Sequence, residues 1–108
     1  MQAEPPELVA SATESFDLSV FSLDCVKRAA YRLTAKASVD IWTEAGNAVC
    51  VLHFTKPISR EHAANVVARL RLEVLDQDLR SVVAAETATL RNTILALAFS
   101  RSGLQSVD

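Results

Sequence analysis

The sequence predicts a small two-layer α+β domain with element order βαββαα, a three-stranded mixed sheet packed with helices. Three observations carry that expectation. Residues 16–20, 38–43 and 48–54 alternate or run apolar over strand-like lengths. Residues 22–35 and 59–100 repeat apolar side chains at helical three- and four-residue steps. A strand–helix–strand step followed by a tight Gly-containing turn implies a parallel pair made by a crossover and an antiparallel hairpin neighbour.

The first strand is expected at Phe16-Asp17-Leu18-Ser19-Val20, with Phe16, Leu18 and Val20 on one face. The residues before it, 1–15, include Pro5-Pro6 and several Ser, Thr and Glu, and are expected to form a disordered lead-in. Ser22 is a good helix N-cap, and Asp24 suits the positive end of the helix dipole. Leu23, Val26, Ala29, Ala30 and Leu33 then form one stripe, with Lys27, Arg28, Tyr31, Arg32 and Lys36 on the opposite side.

In the second strand Val39 and Ile41 point inward, with Asp40 and Trp42 on the other face. Glu44-Ala45-Gly46-Asn47 is a hairpin turn, because Gly and Asn tolerate positive φ. The third strand is apolar on both faces: Cys50, Leu52 and Phe54 on one, Val49, Val51 and His53 on the other. Such a strand is covered on both sides or presents an interface. Lys56-Pro57-Ile58 is expected to break the sheet, and Ser59 to cap the next helix. Ala63, Val66, Val67, Leu70 and Val74 form the stripe of that helix. Leu72, Leu75 and Leu79 drift to another side, which predicts a break near Asp76-Gln77-Asp78, with one continuous helix as the alternative. The last helix, with Leu79, Val83, Leu90, Ile94 and Leu97 on one face, is expected to be buried. Residues 16–101 would then be one α+β domain and 102–108 a flexible tail.

Composition narrows the function classes. Half of the 108 residues are hydrophobic and the net charge is −2, which argues against a general nucleic-acid binder. The acidic, Pro-rich start lacks the basic and apolar regions of a signal peptide, and the longest apolar run is far short of a membrane span. Cys25 and Cys50 lie far apart and read as reduced, buried thiols of a cytoplasmic protein. With Gly46 and Gly103 as the only glycines there is no phosphate loop, and neither His53 nor His62 has a second ligand at metal spacing, so no cofactor is implied.

Three features remain for a site. Glu86 interrupts the apolar stripe of the last helix, which suggests a structural ion pair with a cation such as Arg28, Arg32 or Arg80, or a contact to a partner. The basic face of Lys27, Arg28, Tyr31 and Arg32 suits an acidic partner, unless it is simply solvated. Trp42, Val49, Val51 and His53 would form an apolar patch on the open side of the sheet, a candidate partner surface.

Several segments together are familiar. Phe16-Asp17-Leu18-Ser19-Val20-Phe21-Ser22-Leu23, Lys27-Arg28-Ala29-Ala30-Tyr31-Arg32, Leu75-Asp76-Gln77-Asp78-Leu79-Arg80 and Ile94-Leu95-Ala96-Leu97-Ala98-Phe99-Ser100 resemble the HxsD family of the His-Xaa-Ser peptide-modification system. The family signature, Leu-Leu-Asn-Asp-Tyr-x-Leu-Arg-Glu, is met at Asp76, Leu79 and Arg80, with Gln77 in the Tyr place and Ser81 in the Glu place. The resemblance implies genes encoded beside two radical S-adenosylmethionine (SAM) enzymes and a precursor with His-Xaa-Ser repeats. The chain lacks the Cys-x-x-x-Cys-x-x-Cys iron–sulfur signature, so the radical chemistry would belong to those partners. The expected function is therefore a non-catalytic accessory protein that binds the radical SAM enzymes or the precursor peptide. The alternatives are a homodimeric structural protein held through its C-terminal helix, or a small enzyme using Glu86, His53 and Cys25.

Overall fold

The computed structural model describes residues 7–102, with side-chain surroundings through residue 99. The elements are β1 (Leu8–Asp17), α1 (Leu23–Tyr31), β2 (Ala37–Glu44), β3 (Asn47–Ser59) and α2 (Arg60–Ser102). The chain divides into two compact units, Met1–Asp78 and Leu79–Asp108.

The first unit is the expected α+β body with a different sheet. β1 starts at Leu8, eight residues before Phe16, so most of the expected lead-in is a paired strand. Ala12, Glu14 and Phe16 alternate onto the packed face, and that alternation holds 8–15 in the sheet. Residues 1–6 lie outside the described residues. β1 ends at Asp17 rather than continuing to Val20. The Asp17 carboxylate accepts from the Ser19 N–H (2.8 Å) and the Ser19 hydroxyl (2.7 Å), turning the chain out of the strand.

The sheet order is β1-β3-β2, and both pairings are antiparallel. The sheet is therefore not mixed. The crossover through α1 does make β1 and β2 run in the same direction, but the returning hairpin strand β3 lies between them. The β2–β3 turn has two central residues, both with positive φ: Ala45 at 51° and Gly46 at 80°. Asn47 is already the first residue of β3. β3 also continues through Pro57 instead of breaking there. The β1–β3 register shifts between Val9 and Ser11, and the β2 pairing stops at Phe54, so Pro57 falls where no ladder N–H is required.

One face of β3, carrying Ala48, Cys50, Leu52 and Phe54, joins α1 and the first turns of α2 in a single core. Val26, Ala29, Ala30 and Leu33 come from α1 and the segment after it; Ala63, Val66, Leu70 and Val74 come from α2. Both expected helix caps are present: the Cys25 N–H donates to Ser22 Oγ at 3.1 Å, and the His62 N–H to Ser59 Oγ at 3.1 Å. α1 stops at Tyr31 and gives way to tight turns, four residues short of the sequence expectation.

Three ion pairs tie α2 to the rest of this unit. Arg71 contacts Glu14, Arg60 Nη2 lies 2.6 Å from Glu7 Oε2, and Arg32 Nε lies 2.8 Å from Glu73 Oε2. Arg32 is close enough to attract the Glu73 carboxylate, but its N–H is not aimed to hydrogen-bond that largely buried oxygen, so the contact is mainly Coulombic.

The break expected at Asp76–Asp78 is absent: α2 is helical from Arg60 to Ser102. No Gly or Pro lies within it, and the helix-propensity cost of Asp and Gln, at most about 0.7 kcal/mol each, is too small to end a helix. The drift of Leu72, Leu75 and Leu79 off the first stripe instead marks where burial ceases, since all three are exposed. Ser102, expected to begin a tail, is still helical, and 103–108 lie outside the described residues. In the second unit the residues expected to be buried are not: Leu79, Val83, Leu90, Ile94 and Leu97 are all exposed, the described residues of this unit forming one helix.

Candidate functional site

The antiparallel register builds the open face of the sheet. Trp42 of β2 lies opposite Val49 of β3, Asp40 opposite Val51, and Ser38 opposite His53. On the other side of β3, Ser15, Thr13 and Ser11 lie opposite Val49, Val51 and His53. Because side chains alternate across a strand, all nine share the face turned away from the core. Trp42 is 45% exposed, Val49 and Val51 are half-buried and His53 is exposed. His53 Nε2 lies 3.0 Å from Asp40 Oδ2, a polar edge to an otherwise apolar strip. The sequence-predicted patch of Trp42, Val49, Val51 and His53 is thus brought together on one surface.

The sequence missed its rim. Ser11, Thr13 and Ser15 lay in the supposed lead-in, although their alternation with Ala12, Glu14 and Phe16 is a strand signal. Both β1 and β2 are edge strands with one side unpaired among the described residues, so an extended peptide could add to either.

The basic group forms a second feature. Lys27, Arg28, Tyr31 and Arg32 line a shallow groove together with Gln77 of α2. Arg28 is paired with Asp24 one turn away (2.9 Å) and Arg32 with Glu73, so part of this charge is already neutralised inside the chain. The Arg28–Asp24 pair is exposed on both sides and contributes little to stability, about 0–1 kcal/mol.

Within the first unit, the Cys25 and His53 of the enzyme alternative do not converge. Cys25 is buried in the core side of α1, whereas His53 is on the open face of the sheet. Cys50 is 0% exposed, and burial, with the Glu14 carboxylate adding to it, pushes its thiol up to about 11. A thiol held neutral is a poor nucleophile. Among the described residues, no three His, Cys, Asp or Glu side chains come together as a metal site.

Glu86 is exposed rather than buried, and it takes part in none of the ion pairs among the described residues. Its surroundings are Ala85, Thr89, Leu90 and Thr93 of its own helix. Of the motif residues, Asp76 falls in the first unit, and Leu79 and Arg80 begin the second.

The stretch Arg60–Phe99 is also long and apolar enough to cross a membrane by length and composition, with a mean hydropathy of 1.2 in its most apolar 18-residue window, and no residue of that window is buried. No uninterrupted apolar run within it approaches a span. Charged residues recur through Arg60–Phe99, Glu86 and Arg91 among them, and a charge at a bilayer centre costs about 2.5–3.5 kcal/mol on insertion scales.

No curated protein and no solved structure matches the chain. A family model described as His-Xaa-Ser system protein HxsD matches residues 16–105, most of the chain. That span takes in β1 from Phe16, both remaining strands and both helices. The chain belongs to the HxsD family of His-Xaa-Ser system proteins.

Proposed function

We propose that this protein is a non-catalytic accessory component of a His-Xaa-Ser peptide-maturation system, and that it binds a radical SAM modifying enzyme or the precursor peptide through the open face of its sheet. The observation that carries the reading is the alignment of Trp42, Val49 and Val51 into one apolar strip on the face opposite the core, with exposed edges on both sides. Trp is enriched at interface centres, and here it lies beside Val49 across the β2–β3 pair. The His53–Asp40 pair and the Ser11, Thr13 and Ser15 hydroxyls supply a polar rim. The groove of Lys27, Arg28, Tyr31 and Arg32 adds charge steering toward an acidic segment of the same partner. The family membership supports an accessory role, and the separation of Cys25 from His53 is consistent with chemistry carried out by a partner.

The test is a pull-down with the tagged full chain from its native host, repeated with Trp42→Ala. Recovery of a radical SAM enzyme or a His-Xaa-Ser peptide with the parent chain, and loss of most of it with Trp42→Ala, is the expected result. Equal recovery with both chains would reject the sheet face as the binding surface.

A further inference from the structure

The second unit carries an apolar seam that nothing among the described residues covers. Leu79, Val83, Glu86, Leu90, Thr93 and Leu97 follow alternating four- and three-residue steps, the spacing of a two-stranded helical seam. Val82 and Ile94 widen it. Its Leu, Val and Ile members are each about half exposed, from 47% at Val82 to 61% at Leu90. We infer that this seam is the interface of a homodimer in which α2 of two copies pair antiparallel, centred near Ala88.

Area and length both favour a second copy of the chain as the occupant. Six half-exposed aliphatic side chains hold on the order of 100 Å² of accessible surface each. A face-to-face pair therefore removes roughly 1,200 Å² from water, the lower end of the range for stable specific interfaces. The seam extends for about 30 Å, which one identical helix matches along its full length.

Register and charge set the orientation. With the pair centred on Ala88, Leu79 of one copy lies opposite Leu97 of the other, Val83 opposite Thr93, and Glu86 opposite Leu90. In a parallel pair the two Glu86 carboxylates would face each other directly in the seam. The antiparallel pair moves them about 6 Å apart along the axis and lets each lean to the solvent side. Antiparallel helices also oppose their dipoles. Glu86, the residue that the apolar stripe leaves unexplained, then sets orientation at some cost in affinity, as polar seam residues do.

The test uses the full chain in sedimentation equilibrium over a range of concentrations, with far-ultraviolet circular dichroism as the check on folding. The parent chain is expected to show a reversible monomer–dimer equilibrium. Leu90→Glu is expected to weaken it by ~100-fold or more with an unchanged fold, since Leu90 is exposed in the monomer. Glu86→Leu is expected to tighten it. Orientation is read by crosslinking: a mixture of Leu79→Cys and Leu97→Cys chains should form a disulfide-linked pair, and Leu97→Cys alone should not. The native thiols do not compete, because Cys25 and Cys50 are buried. A chain that stays monomeric throughout would overturn the dimer, and self-crosslinking of Leu97→Cys would overturn the antiparallel arrangement. Sedimentation with phosphatidylcholine–phosphatidylglycerol vesicles, undiminished by Leu90→Glu, would show that the seam faces lipid and would also overturn the proposal. None of these measurements involves Trp42, so their failure leaves the sheet-face reading untouched.

Discussion

Truncating one leucine in each half of α2 should separate the part of the helix that holds the fold from the part that does not. Leu70 is 0% exposed, between Val66 and Val74 on its own helix and the β3 face of the core. Replacing it with Ala removes buried methyl groups and leaves a cavity, and Leu→Ala at such sites costs about 2–5 kcal/mol. A domain of this size holds only about 5–15 kcal/mol of stability, so the loss is a large share of the total. At about 4 °C per kcal/mol, the midpoint should fall by roughly 10 °C or more. Leu90 is 61% exposed, and the same substitution there should move stability by no more than about 0.5 kcal/mol in a chain dilute enough to be monomeric. Urea unfolding followed by circular dichroism, with equal slopes for the two variants, provides the comparison. Equal losses at Leu70 and Leu90 would refute the assignment of the core to the first unit. A loss below about 1 kcal/mol at Leu70 would refute the packing of α2 on the sheet.

Other consequences follow from single contacts. Cys50 titrates higher in the folded chain, at about 11 against an ordinary 9.0, so between those values the unfolded chain binds fewer protons and stability falls as pH rises. The unfolding free energy measured from pH 8 to pH 11 should decline over that window, and thiol reagents at pH 8 should label Cys25 and Cys50 only after denaturant is added. At the hairpin, Gly46→Ala meets no neighbour within 4 Å, so its cost is that of the positive φ alone, about 1–2 kcal/mol. Ala45→Asn should stabilise by a few tenths of a kcal/mol or more, because Ala45 already holds φ 51°; thermal melts of the two variants should move in opposite directions. Arg32→Ala removes the nearest cation from the half-buried Glu73 carboxylate, leaving Arg69 at 3.8 Å, and should cost about 1–2 kcal/mol in denaturant unfolding. Restoring Lys at Arg32 should recover only part of the loss.

The α+β body was legible wherever local chemistry and the final contacts agree. Ser22 and Ser59 cap helices as expected, and the buried stripes Val26-Ala29-Ala30-Leu33 and Ala63-Val66-Leu70-Val74 follow from spacing alone. The placement of Trp42, Val49, Val51 and His53 on one face was legible for the same reason, since alternation fixes the face of a strand whatever its neighbours. Strand order was not legible. A crossover and a hairpin are each satisfied whether β3 lies outside β2 or between β1 and β2, and only the long-range pairing of 8–17 with 47–59 selects the second. That pairing also explains why β1 was placed too late: its outer residues are small and hydroxylated, and only Phe16 is fully buried. The largest misreading, the buried last helix with an ion-paired Glu86, came from taking an apolar stripe as proof of cover within one chain. The stripe is real, but hydrophobic periodicity records that a face is to be covered and carries no information about whether the cover belongs to the same molecule.

Trp42 is the only tryptophan in the chain and lies on the proposed binding face, so its fluorescence reports directly on that surface. The most direct measurement is a titration of the purified protein with the purified radical SAM enzymes, labelled so as to be spectrally silent with fluorotryptophan, and with the His-Xaa-Ser precursor. Saturable binding accompanied by a blue shift and loss of quencher access at Trp42 is the expected result. Binding that leaves both unchanged, or affinity that Trp42→Ala leaves intact, would contradict the role assigned to the open face of the sheet.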